Sequence, residues 1–154
     1  MLPDINLWRR KFIDLAEDVC RLQGIPAPPL LEGFDKSLIV SVNVNGVVVN
    51  VIHADPDDTI GRLLLQCRIA GMQDPHSGDA IRKALMLNHH LAHNLAGMYA
   101  LDESTEELVY CHQMPLAHVN AQELMEVISA TTATAVVLQH GHFDSPPSRQ
   151  ALNS

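Results

Sequence analysis

The sequence predicts an α+β protein whose sheet is mainly antiparallel. Two β-branched runs flank Asn45-Gly46 within residues 37–53, and Asn-Gly is the preferred pair for a two-residue hairpin turn. A short polar turn at residues 103–106 joins a second pair of apolar runs. Helical periodicity is confined to the start, the middle and the end of the chain, which disfavours the regular strand–helix alternation of a doubly wound parallel sheet.

The first element is a helix predicted over residues 4–23. Asp4 is placed to cap its start, and Gly24 followed by Pro26 ends it. Apolar residues at helical spacing define its buried stripe, which consists of Trp8, Phe12, Leu15, Ala16, Val19 and Leu22. Prolines make the following stretch, residues 25–35, a stiff connector without repeated structure.

The hairpin turn also fixes which side chains share a face of the sheet, because it pairs Val44 with Val47. One face is then entirely valine and should cover the core: Val40, Val42, Val44, Val47, Val49 and Val51. The opposite face mixes apolar with small polar side chains: Ile39, Ser41, Asn43, Val48, Asn50 and Ile52. A purely solvent-exposed face would carry more charge, so this mixed face is a candidate binding surface.

Residues 59–70 fit two structures equally well. Apolar residues at every second position are typical of a strand, namely Leu63, Leu65, Cys67 and Ile69. A helix capped by Asp58 or Thr59 fits the same stretch. The pattern alone leaves both open.

The second half of the chain predicts a helix, two strands and a closing helix. The helix covers residues 78–93, with a stripe of Ile81, Ala84, Leu85, Asn88 and Leu91. The Asn88 amide needs hydrogen-bond partners, which we expect on the backbone or on a symmetry-related copy. Strands follow at residues 95–102 and 107–114, and Asn120 with Glu123 forms a capping box for the last helix. Residues 1–139 therefore form one domain, and residues 140–154 a disordered tail.

Composition and charge narrow the classes of partner that the protein can bind. The chain has 154 residues with 18 acidic and 10 basic side chains, and its net charge of −8 argues against nucleic acid or an anionic membrane as partner. Neither a membrane-spanning run nor a secretory signal is visible, so we expect a cytoplasmic protein without membrane insertion. The odd, widely spaced Cys20, Cys67 and Cys111 are predicted to be reduced and mostly buried.

No residue pattern predicts catalysis. His89 and His93 are spaced to share a metal on one helix face, with His90 beside them, but a third ligand is missing from residues 82–97. The sequence has neither a G-x-S-x-G segment nor a glycine-rich phosphate loop. We therefore predict a binding protein without catalytic residues, metal or cofactor. A small metal-dependent enzyme built on the histidines is the less favoured alternative.

The order of the elements and the residue pattern of 84–128 resemble the class I type III secretion chaperones, the Tir-chaperone family. The segments that carry the resemblance are Ala84-Leu85-Met86-Leu87-Asn88, Gly97-Met98-Tyr99-Ala100-Leu101-Asp102 and Glu107-Leu108-Val109-Tyr110, followed by Leu116 and Leu124. Such proteins share a helix ending in Leu-x-x-Asn, a glycine-containing strand, an apolar strand and a closing helix. The resemblance covers residues 5–139 and implies a third strand at 59–70, which gives the order α-β-β-β-α-β-β-α.

The resemblance implies a bacterial, cytoplasmic homodimer that binds the N-terminal segment of a secreted effector in extended form, without ATP. It leaves open whether the dimer also docks on the export ATPase. Extended binding combines strand addition at a free sheet edge with apolar anchors in shallow pockets.

We expect effector contacts at Trp8, Phe12, Ile39, Val48, Ile52 and Leu64. We expect the dimer interface at Ile81, Leu85, Asn88, Leu91, Leu95 and Met98. A non-secretory dimeric interaction or regulatory domain of the same fold is the competing interpretation.

Overall fold

A computed structural model describes residues 5–71, 77–92 and 97–140 of the chain. Within these residues the elements are α1 (Leu7–Gln23), a short 3-10 helix (Leu30–Gly33), β1 (Leu38–Val44), β2 (Val47–His53), β3 (Arg62–Gly71), α2 (Ser77–Leu91), β4 (Met98–Asp102), β5 (Glu107–Pro115) and α3 (Ala121–His140). The predicted α+β class and the predicted element order are confirmed. None of the described helices is both long and apolar enough to cross a bilayer.

The strands form one sheet in the order β1-β2-β3-β5-β4, and every neighbouring pair is antiparallel. The ambiguous stretch at residues 59–70 is largely strand β3, and its alternate residues Leu63, Leu65, Cys67 and Ile69 are buried. Strands β1, β2 and β3 follow one another as a meander, and β4 returns to the sheet as an edge strand.

The predicted hairpin register is confirmed pair by pair, from Val44 opposite Val47 to Ile39 opposite Ile52. Asn45 and Gly46 adopt φ angles of 54° and 82°, the left-handed values that a two-residue turn of this type requires at both positions. Five of the six valines on the predicted core face are buried, and Val44 is half-buried. The turn therefore decides which side chains reach the core.

Helix α1 starts three residues later than the sequence suggested. Its cap is Asn6 rather than Asp4, and the Asn6 Oδ1 atom accepts the backbone N–H of Trp8 at 2.8 Å. Leu22 was predicted to lie on the buried stripe, and this is wrong: its side chain is 59% exposed. Leu22 lies only about 20° around the helix from the buried Leu15, so its exposure comes from its place in the last turn of α1 and not from its direction.

The core lies between the valine face of the sheet and helices α1 and α3. Phe12 of α1 and Leu124 and Ile128 of α3 are fully buried there. The predicted capping interaction of α3 is present, since the N–H of Glu123 donates to Asn120 Oδ1 at 2.8 Å. Gln139 in the last turn donates to the carbonyl of Ile69 at 2.8 Å, which ties α3 to β3. Residues 141–154, most of the predicted tail, lie outside the described residues.

Helix α2 ends at Leu91, two residues before the predicted end. Ala80 and Ala84 are its buried residues, whereas Ile81 is half-buried and Leu85 is 64% exposed. The apolar stripe inferred from the sequence is therefore buried only in part, and Leu85 faces away from the rest of the chain.

Candidate functional site

The face of the sheet opposite the valines, called here the outer face, carries a continuous row of aliphatic side chains. Ile39 of β1 lies opposite Ile52 of β2, and Ile52 lies opposite Leu64 of β3. This aliphatic row crosses three strands, and Ile39 at its outer end is 54% exposed. Val48 is on the same face and 45% exposed. The structure thus brings together the four predicted effector contacts that lie on strands.

The aliphatic row ends at an apolar cavity of about 590 Å³ beside the last turn of α2. Among the residues that the structure describes, its lining carries no charged side chain and consists of Leu64, Asn88, Leu91, Ala92, Gly97, Met98, Cys111 and Gln113. Residues from β3, β5, β4 and α2 form these walls. Sequence reasoning missed the cavity because no single element contains its pattern.

Charged groups on the outer face of β3 lie toward its two ends, at Arg62 and Arg68. Arg68 forms ion pairs with Asp102 at 2.9 Å and with Glu107 at 3.1 Å. Nearer the centre, the Ser41 hydroxyl donates to Asn50 Oδ1 at 2.7 Å, and Asn50 lies opposite Gln66. The middle of the outer face is therefore uncharged, which suits a segment with apolar and neutral polar side chains.

Trp8 and Phe12 do not belong to this surface. Helix α1, which carries both, packs on the valine face. Phe12 is completely buried and stacks on the His53 ring, with 5.3 Å between ring centroids, so a partner cannot reach it. The half-buried Trp8 packs against Gly61, where an added Cβ would come within 2.5 Å of the indole. The physical reason is helical spacing, which marks apolar side chains without distinguishing a core contact from an exposed anchor.

The two edges of the sheet differ in their free backbone groups. Residues that flank a two-residue turn form a hydrogen-bonded pair, so alternate β1 residues starting at Val44 bond to β2. The backbone groups of Ile39, Ser41 and Asn43 then point outward from the β1 edge. At the β4 edge, the Asn88 side chain donates to the carbonyl of Tyr99 at 2.9 Å and accepts its N–H at 2.7 Å. Asn88 thus finds the backbone partners that its amide was expected to need.

Buried polar groups hold the loop between β2 and β3 against α1. Arg9 is 1% exposed and donates to the carbonyls of Lys36 at 2.6 Å and His53 at 3.3 Å. Burial lowers the pKa of the Arg9 guanidinium, while nearby aspartates oppose that effect. The His53 ring contacts Asp58 at 2.8 Å but is itself 1% exposed. A substrate therefore cannot reach this imidazole–carboxylate pair, and its role is to pin the loop.

The residues predicted for dimerisation lie on α2 and at the start of β4. Leu85 and Met98 are 64% and 59% exposed, and Ile81 and Leu91 are half-buried. Met86, which the sequence analysis did not single out, is 52% exposed beside them. Leu95 lies outside the described residues.

The histidines and cysteines form no recognisable centre in the described ranges. No three His, Cys, Asp or Glu side chains within residues 5–71, 77–92 and 97–140 come together to hold a metal. His89 and His90 are exposed on α2, and His93 lies outside these ranges. Cys20, Cys67 and Cys111 are free thiols; the first two are buried and Cys111 is half-buried.

The family profile of the Tir chaperone protein (CesT) family matches residues 33–139 of the sequence. The chain belongs to this family. The resemblance drawn from its sequence is thereby confirmed, and the matched range covers the whole sheet, α2 and most of α3. No match was found among curated proteins.

Solved structures of low sequence identity share the fold. The ExsC–ExsE complex matches with a TM-score of 0.67 and 20% identity over 86% of this chain and 93% of the other. The HopA1–SchA chaperone–effector complex gives 0.63 and 13% identity over 88% and 98%. The Yersinia pestis type III secretion chaperone SycH, in complex with a fragment of YscM2, gives 0.53 and 18% identity over 82% and 98%.

Proposed function

We propose that this member of the Tir chaperone family is a cytoplasmic type III secretion chaperone. It binds the N-terminal segment of a secreted effector and keeps that segment extended and soluble without ATP. The observation that carries the proposal is the combination of an open β1 edge with the aliphatic row on the adjoining outer face. Both are features that extended-peptide recognition uses.

The edge and the row place different demands on the bound segment. The β1 edge runs along Leu38–Val44, which at ~3.3 Å per residue offers about 23 Å for strand addition. The aliphatic row runs across the strands, so its span from β1 to β3 is about 10 Å at the usual strand spacing. A segment that pairs with β1 must therefore turn before its apolar side chains reach Ile52 and Leu64.

Binding of this kind makes and breaks no covalent bond, and we infer that the protein is not an enzyme. The imidazole–carboxylate pair described above, His53 with Asp58, supports this inference because the His53 ring is buried and a substrate cannot reach it. The described part of the lining of the cavity beside the aliphatic row is uncharged, which suits an aliphatic or aromatic side chain.

We infer that the functional unit is a homodimer formed through α2. The exposed Leu85 and Met86 on this helix, with Met98 nearby, provide apolar surface that a second copy would bury. Leu85→Asp should give monomers in sedimentation velocity, because an isologous contact brings each Leu85 close to its symmetry mate. Val137→Asp, at a 44% exposed position on α3, is the matched control and should leave the dimer intact. A dimeric Leu85→Asp protein would refute the assignment.

The cargo role is tested by affinity purification from the native cell with identification of the bound protein. The proposal expects one or more secreted effectors, retained through their N-terminal segments. The same purification tests for the export ATPase as a further partner. Recovery of a folded, non-secreted regulator in place of an effector would contradict the secretory role and favour the competing regulatory interpretation.

Single substitutions test whether the effector binds at the aliphatic row. Ile39→Asp places a charge at the open end of the aliphatic row and should reduce effector recovery at least about tenfold, the loss expected when a charge replaces an apolar anchor. Ile60→Asp is the matched control, since Ile60 is also highly exposed, at 67%, but lies in the loop before β3. Equal recovery with both variants would exclude the aliphatic row as the binding surface.

A further inference from the structure

The β4 edge of the sheet is occupied by a side chain from the protein itself. Asn88 donates from Nδ2 to the Tyr99 carbonyl at 2.9 Å and accepts the Tyr99 N–H on Oδ1 at 2.7 Å. A carboxamide offers the same donor and acceptor as a peptide group. Asn88 therefore takes the position that one residue of an adjacent strand would otherwise occupy.

We propose that Asn88 guards the β4 edge: it prevents β4 from pairing with another polypeptide and leaves β1 as the acceptor edge of the sheet. Unpaired edge strands are templates for association. Because Tyr99 points its backbone groups outward, alternation gives the same orientation to Leu101 within Met98–Asp102. With Tyr99 engaged, β4 has no two successive outward positions to offer, whereas β1 has three.

This inference goes beyond the proposed function, since it concerns the opposite edge and the association of the chain with itself. It shares with that function the open β1 edge and helix α2, through which the proposed dimer forms, and its test needs no effector. The association expected here is therefore counted only as species larger than those of the unmodified chain. If Asn88 only attached α2 to β4, its loss would lower the stability of the fold and do nothing else. An edge guard predicts that the loss also creates a new pairing surface.

The test uses the full chain with Asn88→Ala, compared with Asp79→Ala at an exposed position of the same helix. Sedimentation velocity over a concentration series measures association, and hydrogen exchange measures protection of the Tyr99 amide. For Asn88→Ala we expect exchange of that amide to be faster by about tenfold or more. We also expect larger species that grow with concentration. Asp79→Ala should match the unmodified chain in the Tyr99 exchange and form no such species.

A second substitution separates pairing from general destabilisation. The N–H of Leu101 points away from β5, so Leu101→Pro removes no ladder bond and blocks the same edge. Added to Asn88→Ala, it should reverse the association while the Tyr99 amide stays fast in exchange. The proposal is overturned if Asn88→Ala sediments like Asp79→Ala at every concentration, or if the double variant associates as strongly as Asn88→Ala alone. If Asn88→Ala does not fold, Asn88→Leu replaces it, because leucine fills the site but has neither the donor nor the acceptor, and absence of association there is equally decisive.

Discussion

The carboxylate of Asp58 makes most of the side-chain hydrogen bonds that the structure shows for the loop between β2 and β3. Its Oδ1 atom accepts the N–H groups of Ile60 at 2.8 Å and Gly61 at 2.9 Å, and its Oδ2 atom contacts the His53 ring nitrogen at 2.8 Å. Burial alone would raise the pKa of Asp58. The hydrogen bonds, led by that from Gly61, outweigh burial and lower this pKa from 3.8 to about 2.

The size of this effect follows from linkage between protonation and folding. A shift from 3.8 to about 2 corresponds to at most about 2.5 kcal/mol. Solvent contact at the loop reduces the expected contribution to about 1–2 kcal/mol. Because the pKa is lower in the folded state, the contribution is complete above the unfolded pKa and is lost as the pH falls through the folded pKa. About half of it is gone by pH 3.

Asp58→Asn removes this charge with little change in shape, and urea unfolding at pH 7, 5, 4 and 3 measures the result. We expect the variant to be less stable by about 1–2 kcal/mol at pH 7 and pH 5, and the difference to shrink to about half at pH 3. Asp57→Asn, at the exposed neighbour in the same loop, should stay within about 0.5 kcal/mol at every pH. A difference that persists undiminished at pH 3 would refute the reasoning.

Three further changes test the packing. Gly61→Ala should lower the free energy of unfolding, measured by thermal unfolding, by about 2–4 kcal/mol. The reason is that φ there is +80° and the new methyl would lie 2.5 Å from the Trp8 ring. A near-neutral result would contradict that close approach. Asn120→Ala should lower the free energy of unfolding by about 1 kcal/mol through loss of the α3 cap, and no loss in urea unfolding would count against the cap. Burial raises the pKa of the Cys67 thiol to about 11, so mass spectrometry after thiol labelling at pH 8 should find Cys111 modified well before Cys67. Equal rates would show that the core opens.

Local patterns in the sequence predict the sheet well. The turn at Asn45-Gly46 fixes the register of β1 and β2, and period-two alternation assigns the buried face because the side chains of a strand must alternate. The same two facts locate Ile39 and Ile52 on the outer face. Only the family resemblance decided that residues 59–70 form a strand, since three consecutive leucines fit either structure.

Features built from distant segments escape such patterns. The cavity beside the aliphatic row joins residues from four elements, and the burial of Arg9 depends on carbonyls of Lys36 and His53. Phe12 was assigned to a binding surface because helical spacing identifies an apolar stripe without identifying what covers it. The edge role of Asn88 depends on its distance to Tyr99, and the sequence separates those residues by the segment between α2 and β4.

The register of the hairpin has a consequence for changes in chain length. Since side chains alternate with a period of two, shifting β1 by a single position would send its valines into water and turn Ile39 inward at the same moment. A change at Asn45-Gly46 that shifted the register by one residue would thus expose the core valines and remove Ile39 from the outer face together. The exposed turn at residues 103–106 closes an edge hairpin of the sheet, so engineers who wish to graft a tag or a reporter into this scaffold should choose that site.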